Sequence, residues 1–431
     1  MMATANNNEI GGWKKRLKAL GPGLLFASAA IGTSHLVLST RAGAHHGMIF
    51  FWIILLALIL KYPFYEFGPR YANATGFSLL KGYKAQGNWA VYLFLVVIFI
   101  NMFAVTGAVG AVTAGLLATL FGVAIMPVPL LAGLVIFLTV ILLLLGGYST
   151  LDKFIKLLSI VLLLTVLTAF IAVLVKGPLE PVAGFEVPTL LEGAGLTLLI
   201  SLLGWMPAGF EASTMNSIWV VEKSHVEGYK ASLEENLFDF NLGYVFATLL
   251  ALMFMTIGAY TVYGSGELLE GNATQFSNKL LGVFTANLGQ WAYPILAVAA
   301  FGTIYGTLIT IMDAFPRSFV SGLRVLKFEQ SEKNEEQQQF LDRYYKIVLI
   351  VVGIGGFLLF YLSAASMIKI LEWATVTSFI TAPIIGFLNL RAIQGTDIPD
   401  SHRPPAWMII LAYIGLIAMV GFAAYYILSL M

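Results

Sequence analysis

Met206-Pro207-Ala208-Gly209 lies in the middle of an apolar run, residues 194–220, that is long enough to cross a bilayer. A membrane-spanning helix needs about 20 mostly apolar residues. Proline inside a helix removes one hydrogen bond and clashes with the carbonyl four residues earlier, and the glycine that follows makes unwinding easier. The sequence therefore predicts a helix that is interrupted near the middle of the membrane.

A second interruption is predicted in the first apolar run, residues 22–42, where Gly32-Thr33-Ser34-His35 places small and polar residues at mid-membrane. Each interruption opens a group of five predicted spans, so the second group is predicted to be inverted relative to the first. Matching interruptions in two inverted halves indicate the substrate site of a secondary transporter. The alternative is a pair of kinked helices without a ligand, because proline and glycine are common in membrane helices.

Composition places the whole chain in a membrane. Of its 431 residues, 59% are hydrophobic and 11% are charged, whereas a soluble domain has about 25% charged residues. The net charge of +1 does not indicate a nucleic-acid partner, and the absence of cysteine excludes disulfides and thiolate metal sites. The predicted spans are 22–42, 47–64, 90–121, 127–147, 154–175, 194–220, 238–262, 291–315, 345–363, 367–390 and 406–429.

The positive charges predict the orientation. With the N-terminus in the cytoplasm, 20 of the 24 lysine and arginine residues lie on the cytoplasmic side, as the positive-inside rule requires. We therefore expect a multi-pass protein of the cell membrane with its C-terminus outside. The predicted division is an N-terminal tail (1–20), a first five-helix repeat (21–175), an external loop (176–193), a second repeat (194–390), and a cytoplasmic loop with the last helix (391–431).

Three motifs resemble the Nramp (natural resistance-associated macrophage protein) family of divalent-metal transporters. Gly21-Pro22-Gly23-Leu24-Leu25 with Ala42-Gly43 is similar to the family's first helix, Leu202-Leu203-Gly204 with Met206-Pro207 resembles its sixth, and Leu120-Phe121-Gly122 closes the third span as in that family. The eleven-span layout agrees along nearly the whole chain. The resemblance implies an all-α, LeuT-like fold of five-plus-five inverted helices, with helices 1 and 6 discontinuous and alternating access as the mechanism.

The residues that carry the family's metal chemistry differ in this chain. In the family, the first-helix motif Asp-Pro-Gly-Asn supplies two metal ligands, and those two positions are Gly32 and His35 here. Met206 matches the methionine ligand of the sixth helix, whereas Ala208 and Ser213 stand where the family has histidines. We therefore expect an Nramp-like transporter with a rebuilt site and a substrate other than the usual manganese or iron.

Ionisable residues within spans are costly and are functional hypotheses by default. Glu211 follows the second interruption, where it is expected to bind a cation, carry a proton, or pair with a backbone N–H. His35 lies in the first interruption, although a lone histidine more often serves as a hydrogen-bonding residue. The resemblance places Thr106 and Val109 where the family has an acidic pair linked to proton movement, so Glu211 and His35 are the proton-coupling candidates.

Two kinds of ligand fit the predicted site. His35, Met206 and Glu211 offer imidazole, thioether and carboxylate ligands for a metal. However, a single carboxylate balances only one of the two charges of a divalent ion in a low-dielectric site. Alternatively, the missing side chain at Gly32 enlarges the cavity, free N–H groups hold a carboxylate, and Glu211 pairs with the ammonium of an amino acid or amine. The predicted substrate-binding residues are Gly32, Thr33, Ser34, His35, Met206, Ala208, Gly209 and Glu211.

Charged residues at the ends of spans are gate candidates. Asp313 and Arg317 are predicted to form either an inner gate or an ordinary interfacial pair. Glu372 is either a carboxylate of the outer vestibule or a partner of Lys369 three residues earlier. Arg41 is interpreted as a side chain that snorkels to the interface.

The motifs in the sequence favour a transporter over an enzyme. The sequence has no H-E-x-x-H motif or nucleophile elbow, so an enzyme is not predicted. The alternatives are a proton-coupled importer of a divalent cation (Mn²⁺, Fe²⁺ or Mg²⁺), a transporter of a small organic solute, and a solute-sensing receptor on a transporter fold. The expected partners are a small-molecule or ion substrate and the lipid bilayer, with no cofactor, no nucleic acid, and a monomer or weak oligomer.

Overall fold

The computed structural model describes residues 20–120, 126–146, 148–267, 269, 273–328, 335–363 and 366–431. Residues 1–19 of the predicted tail, and Phe121 and Gly122 of the third-span motif, lie outside the described residues. Within the described part of the chain, all regular secondary structure is helical. The predicted all-α fold class is therefore confirmed.

The helices follow the apolar runs, with a π-helical segment at Ser34–Ser39 inside the first. Their bounds are α1 Pro22–Ala30, α2 Thr40–His46, α3 Ile49–Thr75, α4 Leu79–Gln86, α5 Asn88–Leu120, α6 Val128–Leu145, α7 Tyr148–Lys176, α8 Gly193–Trp205, α9 Glu211–Glu227, α10 Leu233–Thr261, α11 Ala273–Leu288, α12 Tyr293–Lys327, α13 Glu335–Leu362, α14 Met367–Ile393 and α15 Ala406–Ser429.

Eight of the described helices are long and apolar enough to cross a membrane, and the bent pair Pro22–Ala30 with Ser34–His46 makes nine if it is counted as one span. The other two predicted spans coincide with α7 and with the pair α8 and α9. The total of eleven crossings, the inverted repeat and the domain boundaries remain predictions.

Both interruptions are present. The first helix bends by 45° between Ala30 and Ser34, and Ser34–Ser39 is wound as a π-helix, a form that is often found at functional sites. The sixth span breaks completely, because α8 ends at Trp205 and α9 begins at Glu211. The predicted discontinuity of helices 1 and 6 is thus confirmed, although His35 lies in the π-helical turn rather than in unwound chain.

Helix α10 supports the first interrupted helix on both sides of its bend. A Cβ atom at Gly258 of α10 would lie 2.1 Å from the carbonyl oxygen of Thr40 in α2. On the other side, a Cβ atom at Gly243 would lie 2.2 Å from the carbonyl oxygen of Gly23 in α1. Small residues allow membrane helices to approach at backbone distance, so α10 holds both halves of this helix tightly.

Several helices extend beyond the apolar runs that predict them. Helix α3 continues to Thr75 although Pro63 and Pro69 lie within it, and α12 continues to Lys327 past Pro316. Two further helices, α4 and α11, lie in segments that hydropathy does not predict as spans. Hydropathy detects only the membrane-embedded part of a helix, so polar ends and short connecting helices fall below its threshold.

The contact between α2 and α10 leads to a first testable prediction. We expect Gly258→Ala to lower the midpoint of thermal unfolding in detergent, because the added methyl group meets the Thr40 carbonyl and overpacking costs about 1–3 kcal/mol. Gly421→Ala is the matched control, since no described atom outside the local backbone of its own helix lies within 4 Å of a Cβ atom at that position. Equal midpoints for the two variants would contradict the close packing of α2 on α10.

Candidate functional site

A small cavity of about 50 Å³ lies between the two interruptions. Helices α5 and α12 close it with side chains that include Val109 and Thr307. Of the eight predicted substrate-binding residues, five contribute to its wall: Thr33, Ser34, Ala208, Gly209 and Glu211. The other three, Gly32, His35 and Met206, do not line it.

The break in the sixth span follows directly from Pro207. In a continuous helix, the carbonyl of Leu203 would accept a hydrogen bond from the N–H of residue 207, but proline has none. Instead, Lys61 Nζ of α3 donates to the Leu203 carbonyl oxygen at 2.8 Å and to the Met206 carbonyl oxygen at 2.7 Å. A side chain from another helix therefore satisfies two carbonyls that the break leaves free.

Helix α3 contributes a second donor to the same stretch of backbone. The hydroxyl of Tyr65, one turn after Lys61, donates to the carbonyl oxygen of Ala208. Ser34 Oγ approaches the carbonyl oxygen of Pro207 at 3.5 Å. Residues four apart in a helix lie on one face, so α3 presents Lys61 and Tyr65 together to the unwound chain and holds it in place.

The ammonium of Lys61 is also enclosed by aromatic rings. Its Nζ lies 5.0 Å from the ring centroid of Phe210 and 5.8 Å from that of Tyr65, distances at which a ring face attracts a cation. The residue is only 3% exposed. Two carbonyl oxygens and two aromatic rings thus surround one positive charge inside the protein.

Glu211 places a negative charge on the cavity wall. It is the first residue of α9, where its carboxylate is stabilised by the positive end of the helix dipole. A Cβ atom at Gly209 would lie 2.5 Å from its Oε1 atom, so the carboxylate folds back over the unwound segment. The opposite charge of Lys61 and the amide of Asn101 both act on this carboxylate.

His35 is turned away from the cavity. Its Nδ1 atom lies 2.9 Å from Ser34 Oγ, and its Nε2 atom lies 3.0 Å from the carbonyl oxygen of Ala247 in α10. Because a carbonyl only accepts, Nε2 is a donor, and both ring nitrogens have a hydrogen-bonding neighbour within the protein. This placement agrees with the hydrogen-bonding role that the sequence leaves open for His35.

The three predicted metal ligands do not meet around one cavity. Glu211 lines the cavity, His35 faces α10, and Met206 is fully buried outside the lining. Among the described residues, no group of three histidine, cysteine, aspartate or glutamate side chains is arranged to hold a metal ion. The assignment of these three residues as metal ligands therefore remains a prediction.

The space expected at Gly32 is already filled. A Cβ atom at Gly32 would lie 2.5 Å from Thr307 Oγ1 of α12. That hydroxyl donates to the carbonyl oxygen of Ser28 at 3.0 Å and holds the end of α1. The expected enlargement of the cavity by Gly32 is therefore wrong, because Thr307 occupies the position.

Thr33 presents an unused polar group to the cavity. The residue is 2% exposed, lines the cavity, and its Oγ1 atom has no hydrogen-bond partner in the structure. Thr33 and Ser34 also begin the second half of the first helix, where N–H groups lack acceptors within the helix. The cavity therefore offers a carboxylate on one side and hydrogen-bond donors on the other.

The gate candidates form two different contacts. Glu372 Oε1 of α14 pairs with Arg41 Nη1 of α2 at 2.9 Å, so the ion-pair partner of Glu372 is Arg41 and not Lys369. Arg41 is 6% exposed, so the interpretation that it snorkels to the interface is wrong. Asp313 Oδ2 accepts from Arg317 Nε at 2.7 Å, and Asp313 Oδ1 accepts from the Tyr345 hydroxyl at 2.6 Å, which joins α12 to α13.

The family model described as natural resistance-associated macrophage protein-like (Nramp) matches residues 23–429. The chain belongs to the Nramp family. It is 33% identical over 420 residues to an uncharacterised protein of Pasteurella multocida (strain Pm70). The aligned region covers 96% of this chain and 93% of the Pasteurella protein. It is also 31% identical over 86 residues to metal transporter Nramp6.2 of Populus trichocarpa, or 19% and 16% of the two chains.

Among solved structures, this Nramp chain is similar to the Eremococcus coleocola manganese transporter in complex with an aromatic bis-isothiourea substituted compound. The TM-score is 0.68 at 15% identity, with 96% of this chain and 87% of that chain covered. This likeness and the family match establish a multi-pass membrane protein with the Nramp transporter fold.

Lys61 is not among the site residues that the sequence predicts in this Nramp chain. It is the one charged residue in the predicted span 47–64, and a lysine in such a run is a functional hypothesis by the same cost argument that selects Glu211. Its partners lie 142 and 145 positions later in the chain. The signal for a buried lysine is therefore present in the sequence, whereas the carbonyls that it binds are visible only in the fold.

Proposed function

We propose that this Nramp protein is a secondary transporter that carries a small organic solute with an ammonium group, and not a divalent metal, by alternating access. Its site is the cavity between the two interrupted helices. The observation that carries the proposal is the position of Lys61, whose positive charge occupies the carbonyls at the break in the sixth span.

Charge balance favours an organic solute over a metal. Lys61 and Glu211 carry opposite charges in the same buried region, so the empty site is close to neutral. A divalent ion would add two positive charges where burial makes unpaired charge very costly. Among the residues that the structure describes, Glu211 is the one carboxylate that lines the cavity, whereas manganese and magnesium prefer several oxygen ligands. A zwitterion adds no net charge.

The polar groups of the cavity match the two ends of such a solute. Glu211 is the acceptor for an ammonium group. The unpaired hydroxyl of Thr33 and the N–H groups that begin the second half of the first helix are donors for a carboxylate or another acceptor. Met215 and Trp205 supply apolar walls for the body of the solute.

Divalent metal is the second candidate substrate. The names of two relatives support it, since one is a manganese transporter and the other a metal transporter. Under this alternative, Glu211 is the charged ligand and the cavity has to rearrange to bring Met206 or His35 into contact with the ion. A solute-sensing receptor is separated from both by the absence of net transport.

The ion pair of Arg41 with Glu372 supports a state that is closed on the predicted external side. It joins α2, the end of the second half of the first helix, to α14. On the predicted cytoplasmic side, a pocket of about 380 Å³ lies against Ile218, Glu222 and Arg317. Opening of the Arg41–Glu372 contact is the proposed step that admits solute from outside, with Asp313 and Arg317 near the inner path.

A binding screen on purified protein tests the choice of substrate. We expect at least one amino acid or amine to raise the midpoint of thermal unfolding and manganese to leave it unchanged. Glu211→Gln is expected to weaken that binding at least about tenfold, because hydrogen bonds to charged groups contribute about 1.5–3 kcal/mol. The exposed Glu267→Gln is the matched control. A manganese-dependent shift that disappears in Met206→Ala would establish the metal candidate instead.

Uptake into proteoliposomes tests whether Glu211 couples transport to protons. We expect uptake of the solute found in the screen to rise when a pH gradient is imposed, and this dependence to disappear in Glu211→Gln, since an amide cannot carry the proton. Unchanged gradient dependence in that variant would rule out Glu211 as the coupling group. Glu267→Gln again controls for a change in preparation.

The proposed outer gate can be probed because the native chain has no cysteine. Ala30→Cys places a single thiol on the cavity wall. We expect a membrane-impermeant thiol reagent added outside to label this variant about tenfold faster when Glu372→Gln is added, which corresponds to a loss of about 1.4 kcal/mol from the closed state. Lys369→Gln, one turn away, is the control. Equal labelling rates would show that the pair does not hold the gate closed.

A further inference from the structure

The end of α8 has the features of a cation-binding site. The carbonyls of Leu203 and Met206 lie at the C-terminal end of this helix, which is the negative pole of its dipole. Unwound carbonyls and half-helix C-terminal ends are the groups with which transporters with broken helices coordinate cations. The ring of Phe210 covers the same point from another side.

In this protein, the position is occupied by a side chain of the protein itself. Lys61 Nζ lies 2.8 Å and 2.7 Å from the two carbonyl oxygens, which is direct hydrogen-bonding contact. We propose that Lys61 is a built-in cation, which fills a carbonyl site where an exchangeable cation would otherwise bind. The proposal holds for any transported solute, whereas the choice of an organic solute proposed above itself rests on the charge of Lys61 at this position.

The surroundings of Lys61 Nζ favour a positively charged donor. Two carbonyl dipoles, the negative helix end and the face of an aromatic ring all favour positive charge. The lysine stem reaches this point from α3, where the residue is 3% exposed. Removal of the stem with its ammonium should therefore leave a vacant cation site of defined shape, bounded by the same carbonyls and the same ring.

Chemical rescue tests the vacancy. Lys61→Ala removes a fragment equivalent to propylammonium and leaves the two carbonyls without a donor. We expect the thermal midpoint of this variant in detergent to fall by roughly 5 °C or more. We expect tens of millimolar propylammonium chloride to restore at least half of the loss, and neither 1-propanol nor tetramethylammonium chloride to do so. The controls are the native protein and Lys84→Ala, which removes an exposed hydrogen bond between Lys84 and Asn88. Propylammonium should not change the midpoint of either control.

Lys61→Met separates the cation from simple filling of space. Methionine has a similar length but no charge and no donor, and it blocks the vacancy. We expect this variant to be destabilised as Lys61→Ala is, but without any response to propylammonium. A native midpoint for Lys61→Met, or a destabilised Lys61→Ala that propylammonium does not stabilise, overturns the proposal.

A further variant tests the ammonium with a covalently attached group. Lys61→Cys introduces the single cysteine of the chain. Alkylation with 2-bromoethylamine then yields a side chain of lysine length that ends in an ammonium, whereas 1-bromopropane yields a neutral chain of the same length. A higher midpoint for the aminoethylated protein supports the proposal, and equal midpoints for the two products overturn it.

Discussion

The missing N–H of Pro207 determines where the sixth span is interrupted. Because Pro207 cannot donate to the Leu203 carbonyl, the sixth span ends at Trp205 and the chain remains unwound until Glu211. A free carbonyl in the interior of a membrane protein has no water to bind, so another part of the protein must supply a donor. Lys61 and Tyr65 of α3 supply it, and the position of the broken helix therefore depends on one face of α3.

The first interruption is stabilised differently from the second. At the bend after Ala30, the Thr307 hydroxyl of α12 occupies the space next to Gly32 and binds a carbonyl at the end of α1. His35 then fixes the π-helical turn to α10 through the carbonyl of Ala247. The side chains at this break are neutral, whereas the break in the sixth span is held by a charge. That difference places the positive charge of the site on one side of the cavity only.

The sequence alone is sufficient for the all-helical membrane fold and for both interruptions, because each depends on local features: apolar length, Pro207 and the small residues near Gly32. It also identifies Glu211, since a carboxylate in a span is conspicuous. The sequence does not reveal which distant residues of the chain these side chains contact. Lys61 binds a carbonyl 142 positions away and Arg41 pairs with Glu372 331 positions away. Such contacts arise from the packing of helices, and no local pattern encodes them.

His35 illustrates the same limit. Its position in the first interruption suggests a ligand, and only the tertiary structure shows that α10 takes up its Nε2 atom. Gly32 is a similar case, since the absence of a side chain indicates space, but a threonine from α12 fills it. A residue type restricts the chemistry that is available at a position. Whether that chemistry faces a ligand or the protein itself depends on the neighbouring helices.

Helix α10 packs closely against the first helix on both sides of its bend. Gly243 contacts α1 and Gly258 contacts α2 at backbone distance, on either side of the bend. Because α10 contacts both sides of the bend, the bend angle cannot change unless one of these two contacts separates. The two halves of the sixth span also share a neighbour, since Lys61 of α3 binds the end of α8 and a Cβ atom at Gly68 of α3 would lie 2.3 Å from the carbonyl oxygen of Ser213 in α9. The bend after Ala30 and α10 therefore form one packed unit, and we expect both sides of the bend to move together with α10 during transport.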